Sequence, residues 1–290
     1  MTLLFPLVDL EKMSTEYIDL IEKGPEAEAL SLPYYCIYVF RNRAVISIDF
    51  TDYECTPNSL LFLSPYQLVQ WKEVTEKVEG LTFHGDFYCI EYHKREVACN
   101  GLLFNNIYES PLVRIEENVF EEILRVMSQI ALLQKQKDSL NYPILRTYLQ
   151  LILALASKEK LRDQEEWRVV SSKEEGSVLG FRDLVDTYFI QHRTVGFYAE
   201  KHFLSVDAFS KKVKKIFGKT PSKIIQERLV LEAKKLLHLS YKSIKEIASE
   251  LNFEDEFYFS RYFKKEVGLS PKKFRDEVGI SVVAKGISNL

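Results

Sequence analysis

The sequence predicts a multidomain α+β protein: an N-terminal antiparallel β-barrel with flanking helices, followed by an all-α domain made of two helix-turn-helix units. Three observations carry this reading. Short β-branched and aromatic segments fill residues 33–105, separated by Gly, Pro and Asn turns. From residue 116 the apolar positions change to helical three-to-four spacing. Near the C-terminus the chain repeats itself, with AEKHFLSVDAFSKKVKKIFGKTP at 199–221 returning as ASELNFEDEFYFSRYFKKEVGLSP at 248–271.

Bulk composition narrows the class. A chain of 290 residues, 46% apolar and 28% charged, has room for two or three domains with their own cores. The net charge of -3 hides an asymmetry. Residues 180–280 hold 20 Lys+Arg against 14 Asp+Glu, a balance of +6, and the remainder holds 19 against 28, a balance of -9. A basic third on an acidic body fits nucleic-acid binding by that third alone. Cys36, Cys55, Cys89 and Cys99 show no CxxC or metal-like spacing and read as buried free thiols of a cytosolic protein. Asp9, Glu11 and Glu16 interrupt the N-terminus before any signal-like run, and LILALA at 151–156 is too short to span a bilayer. The expected location is the cytoplasm.

In chain order, CIYVF (36–40) and AVISIDF (44–50) are strands joined by Arg41-Asn42-Arg43. LLFLS (60–64) follows Pro57-Asn58-Ser59 and stops at Pro65, and LTFHGDFYCIEY (81–92) is broken at Gly85-Asp86. Such short strands and turns make a barrel or a sandwich. A helix then carries Val119, Phe120, Ile123, Leu124, Met127, Ile130, Ala131 and Leu133 on one stripe, with Glu116 and Glu117 at its positive end. A second starts after Asn141, with Pro143 in its first turn and Leu145, Tyr148, Leu149, Ile152 and Leu153 along it. These stripes are wide enough both to cover the sheet and to pair with a second copy of the chain. Residues 1–157 form the first domain in this reading. The polar stretch KEKLRDQEEWRVVSSKEEGSVLG (158–180) is the linker, and 181–280 form the second domain.

The repeat is punctuated twice in the same way. Ala199 aligns with Ala248 at a spacing of 49, whereas Ser210-Lys211, Gly218 and Pro221 align with Ser260-Arg261, Gly268 and Pro271 at 50, so one residue is inserted between. Each glycine follows a basic amphipathic stretch, where a left-handed residue stops a helix. Thr220-Pro221 and Ser270-Pro271 then restart it, with a hydroxyl N-cap and proline at the first helical position. Between the copies, residues 221–240 form one connecting helix. At the turn of the second unit Asn252 suits a left-handed conformation; Phe203, its counterpart, does not.

Phe209 with Val213, and Phe259 with Phe263, form inward stripes of the two longer helices and belong to the core. The outward faces are the candidate base-reading surfaces: Asp207, Ser210 and Lys211 on the first, and Glu256, Phe257, Ser260 and Arg261 on the second. Arg261 suits guanine O6 and N7, Lys211 a single-point contact of the same kind, and Glu256 a cytosine amine. Lys212, Lys215, Lys219, Lys264 and Lys265 suit phosphates; the same lysines also fit a solvated face.

The stretch SIKEIASELNFEDEFYFSRYFKKEVGLSPKKFR (243–275) closely resembles the second helix-turn-helix of the AraC/XylS transcription regulators, and ERLVLEAKKLL (227–237) resembles their linker helix. The resemblance covers about 100 residues. It implies seven helices, with two of them in adjacent major-groove segments of double-stranded DNA. It also implies an N-terminal cupin-like domain for effector sensing or dimerisation, and TPNSLLFLSPYQ (56–67) is similar to part of such domains. The chain departs from the pattern at Glu254, Asp255 and Glu256, which make the start of the second recognition helix acidic.

Enzyme chemistry finds no support. A metal cupin needs clustered His and carboxylate ligands; this barrel has His84 and His93 without an HxH pair, and Gln67 and Gln70 where such proteins place histidine. No cofactor motif is present either. Tyr38, Phe62, Trp71, Phe83 and Tyr88 are candidates for lining an effector pocket or for plain core. The expected partners are double-stranded DNA, a second copy of the chain, a small-molecule effector and RNA polymerase, with activation as the expected mode.

Overall fold

Residues 18–23, 31–49, 51–85, 87–88, 102–136, 138, 140–171 and 180–278 are described by a computed structural model. Alternating segments in the N-terminal half become β1 (Ile18–Lys23), β2 (Tyr35–Phe40), β3 (Ala44–Ile48), β4 (Thr51–Cys55), β5 (Ser59–Leu63), β6 (Val69–Glu73), β7 (Val78–Phe83) and β8 (Leu112–Arg114). They pair antiparallel into a five-stranded sheet, β1-β7-β2-β5-β8, and a three-stranded sheet, β4-β3-β6. The expected barrel is therefore not closed. β3 reaches β6 through a register shift at Val45/Ile46, and no described residue of β4 or β6 ladders onto the larger sheet.

The side-chain period of two assigns each strand residue to a face. Cys36, Tyr38 and Phe40 of β2 and Leu61 and Leu63 of β5 join Ile46, Ile48, Cys55 and Val69 in one buried cluster. A Cβ at Gly80 would come within 2.8 Å of the Tyr38 ring, so the strand opposite that tyrosine requires glycine. Cys36 and Cys55 are free, and burial pushes both thiols up to about 12. Cys89, Cys99 and His93 lie outside the described residues.

Two helices complete this half. α1 (Glu117–Gln136) buries Phe120, Ile123, Leu124, Val126, Met127 and Ile130. α2 (Asn141–Ser171) buries Leu145, Leu149, Ile152 and Leu153. Buried Glu159 accepts the backbone N–H of Glu116 at 3.1 Å, so α2 supplies a carboxylate to the start of α1. α2 also corrects the expected linker. Residues 158–171 contain no Gly or Pro and are rich in helix formers, so the polar stretch continues the helix; residues 172–179 lie outside the described set. No described helix is long and apolar enough to cross a membrane.

The chain divides into two compact units, 1–103 with 112–160, and 104–111 with 161–290. The second contains α3 (Phe181–Tyr188), α4 (Val195–Lys201), α5 (Val206–Phe217), α6 (Pro221–Leu239), α7 (Ile244–Glu250), α8 (Glu256–Val267) and α9 (Pro271–Val278), seven helices among the described residues. Phe181 is buried against Tyr198, Phe209 and Phe217 to form one aromatic core. Phe253, Phe259, Phe263 and Phe274 form the other. α6 packs against both α5 and α8.

Candidate nucleic-acid interface

The two candidate recognition helices are α5 and α8, and their ends are fixed by local chemistry. Ser205 caps α5 by accepting the Ala208 N–H, and Asp255 caps α8 by accepting the Tyr258 N–H at 2.6 Å. One member of the acidic triplet is thus a helix cap. Gly218 and Gly268 end these helices at φ 68 and 85, and Thr220 and Ser270 cap the next ones ahead of Pro221 and Pro271. Ser243 and Glu246 form a capping box at α7.

The turns are alike in conformation and unlike in residue. Asn252 adopts φ 56, and Phe203, against the expectation from its side chain, adopts φ 55 with 96% of its surface exposed. Leu204 then leads to the Ser205 cap, whereas Phe253 and Glu254 lead to Asp255, so Glu254 is the inserted residue. Arg193, just before α4, reaches the second turn. Its guanidinium donates to the Leu251 and Asn252 carbonyls, the latter at 3.0 Å, and lies 4.3 Å from the Phe253 ring. Burial lowers its pKa. No local signal in the sequence marks this residue, because its partners lie almost sixty positions away.

On the outer face of α5, Lys211 and Asp207 form an ion pair at 2.9 Å, both well exposed, and Ser210 is half-buried beside them. On α8, Phe257 is 68% exposed, Arg261 is exposed with its guanidinium 5.9 Å from the Tyr258 ring, and Glu256 and Ser260 are half-buried. Each helix therefore collects its predicted residues on one outward face. Lys212, Lys215, Lys264 and Lys265 are also exposed.

Lys219 is placed differently. It is held 2.8 Å from Glu227 and donates to the Ile107 carbonyl at 3.4 Å, with its side chain only 13% exposed. Its ammonium is committed within the unit, to a segment the sequence reading assigned to the first domain. In that segment Tyr108 donates to Asp186 at 2.9 Å, and Asp186 also accepts from Arg228 at 2.8 Å. Arg182 lies over the Tyr108 ring at 4.9 Å, and Phe217 of α5 is 6.2 Å from it.

The expected pocket residues do not converge. Tyr38 and Trp71 meet edge to face at 5.1 Å between the sheets. Phe62 pairs with Ile37 and Phe83 with Tyr35, positions on the opposite face of β2. Tyr88 is buried near Arg146 of α2. A cavity of about 10 Å³ touches Tyr38, Cys36 and Gln67, and another of about 20 Å³ lies at the turns beside Phe40 and Val78. A water needs about 10–15 Å³, so neither admits a metabolite. Gln67 bridges Asp49 and the Ser64 N–H, which is a structural task, and Gln70 is exposed on β6.

Comparison with known proteins bears on the C-terminal unit. Residues 198–277 match the family model of a helix-turn-helix domain. The chain is 24% identical over 251 residues to the HTH-type transcriptional activator RhaR of Cronobacter sakazakii, covering 84% of each. It is 35% identical over 75 residues to the MmsAB operon regulatory protein of Pseudomonas aeruginosa, covering 26% of this chain and 24% of that one. Among solved structures it is similar to ToxT from Vibrio cholerae, at 13% identity over 90% of this chain and 97% of that chain, with a TM-score of 0.40. Residues 198–277 are a DNA-binding domain of the helix-turn-helix class. That class is the one implied by the resemblance to AraC-type regulators.

Proposed function

We propose that the chain is a sequence-specific transcription regulator of the AraC type that reads two adjacent major-groove segments with α5 and α8. The observation that supports this most is the paired construction. Two units with the same left-handed turn, cap and glycine stop flank one connecting helix of 19 residues, about 28 Å long. Base contacts fall to Ser210 and Lys211 with Asp207 on α5, and to Arg261, Ser260, Phe257 and Glu256 on α8. Phosphate contacts fall to Lys212, Lys215, Lys264 and Lys265. Activation is the proposed mode, as the similar protein RhaR is a transcriptional activator.

Among the described residues Tyr38 and Trp71 pack edge to face between the sheets, which supports the reading in which the first unit dimerises without an effector. Leu132, Leu140, Ile144 and Leu151 of α1, α2 and their connection are exposed, an apolar supply for pairing with a second copy. Sedimentation of the full chain tests this, with a dimer expected and a concentration-independent monomer opposing it. Capture of sheared DNA from the source organism by the full chain, followed by sequencing, tests the main reading. Two short shared boxes about one helical turn apart are expected; featureless recovery opposes it.

A further inference from the structure

The aromatic side chains of α8 separate into two kinds. Tyr258, Phe259 and Tyr262 hold ring contacts to Phe253 at 5.8, 5.2 and 5.3 Å, and Phe263 holds one to Phe274 at 5.5 Å. Phe257 makes no such contact among the described residues and is 68% exposed. A lone exposed phenylalanine is ordinary on a protein surface. This one is not placed at random. It is the second residue of α8, one turn before Arg261 on the same face, with Ser260 between them. The first turn of a recognition helix is the part that meets base edges. The largest apolar feature a base pair offers in the major groove is the thymine 5-methyl group, and phenylalanine is among the side chains that take it.

We propose that Phe257 is a specificity-determining residue that seats a thymine 5-methyl group in the box read by α8, beside the base contacted by Arg261. The inference rests on the DNA-reading function proposed above and adds the chemistry of one position. It also makes the two units different readers. Asp207 occupies the position of Phe257 in the first unit and is paired with Lys211 at 2.9 Å, so α5 presents an ion pair where α8 presents a ring and a guanidinium. Apolar surface buried on a methyl group is insensitive to salt, unlike a phosphate contact, which gives the position a distinct signature.

The test uses the full chain and a duplex site selected by it from random-sequence DNA, resynthesised with deoxyuridine in place of one thymidine at a time. Removing the buried methyl group should weaken binding about fourfold at one position of one box, to the same extent at low and moderate salt. Phe257→Ala should bind the thymine and uracil versions of that position equally, Phe257→Leu should keep part of the difference, and Arg261→Ala should leave it in place. Several results overturn the inference while leaving the DNA-reading function intact: no position sensitive to the methyl group, sensitivity that persists in Phe257→Ala, or DNA binding by that variant unchanged throughout. The last would make the ring a contact for another protein. Failure to select any site would instead strike at the DNA-reading function itself, and this inference would fall with it.

Discussion

Replacing Phe203 with glycine should stabilise the first helix-turn-helix unit, although it deletes a large apolar side chain. The backbone at Phe203 has φ 55, a left-handed conformation. In an L-residue other than glycine this costs about 1–2 kcal/mol. The ring recovers little of that, because 96% of the residue is exposed. Glycine removes the steric cost and adds about 0.5–1 kcal/mol of unfolded-chain entropy to be lost, leaving a net gain of roughly 0.5–1 kcal/mol. Phe203→Asn, which copies Asn252 of the second unit, should gain a similar amount, whereas Phe203→Ala should gain almost nothing because it keeps a Cβ. Native-state hydrogen exchange of the α5 amides in the full chain reads this directly. A rise in protection of about two- to fivefold is expected for glycine and asparagine. Unchanged or reduced protection in both would refute the reasoning and mean that the ring contributes to the folded unit.

Other outcomes follow from the same geometry. Arg261→Ala should cost on the order of 1–3 kcal/mol on a selected site and relax specificity there, measured by fluorescence anisotropy against single-base variants. Lys211→Ala should cost less, because the Asp207 carboxylate already holds its ammonium in the unbound protein. Lys264→Ala and Lys265→Ala should each weaken all sequences alike and lower the salt slope by about 0.9, whereas Lys219→Ala should leave the slope unchanged and lower thermal stability instead. Arg193→Ala should remove two charge-assisted donors from the second turn, worth roughly 1.5–3 kcal/mol, and appear as reduced exchange protection at Leu251–Phe253.

Short-range chemistry was legible in the sequence, and long-range geometry was not. Gly218, Gly268, Thr220-Pro221 and Ser270-Pro271 announce helix ends through conformational preferences that act within four residues, and the structure places each as read. The outward grouping of Phe257, Ser260 and Arg261 follows from helical period alone. The barrel was overread because alternation specifies a half-buried strand but not which edges close. Polarity in 158–171 suggested a linker, yet Lys, Glu, Gln and Arg are good helix formers, and the helix continues. Nothing local could place Tyr108 on Asp186 or Arg193 on the second turn, since each contact joins residues more than fifty positions apart. Tyr38 and Phe62 do not face one cavity, because strand parity puts them on opposite faces of one sheet.

The coupling of two reading helices through α6 is the central claim, and box spacing tests it most directly. On a selected site, five base pairs inserted between the two boxes turn one of them about half a helical turn away from the other. Affinity of the full chain should fall to that of a site retaining a single box, and an insertion in the flanking DNA should have no effect. Equal affinity for the original and the expanded site would contradict the account, because two helices held by one connecting helix cannot follow boxes to opposite sides of the duplex.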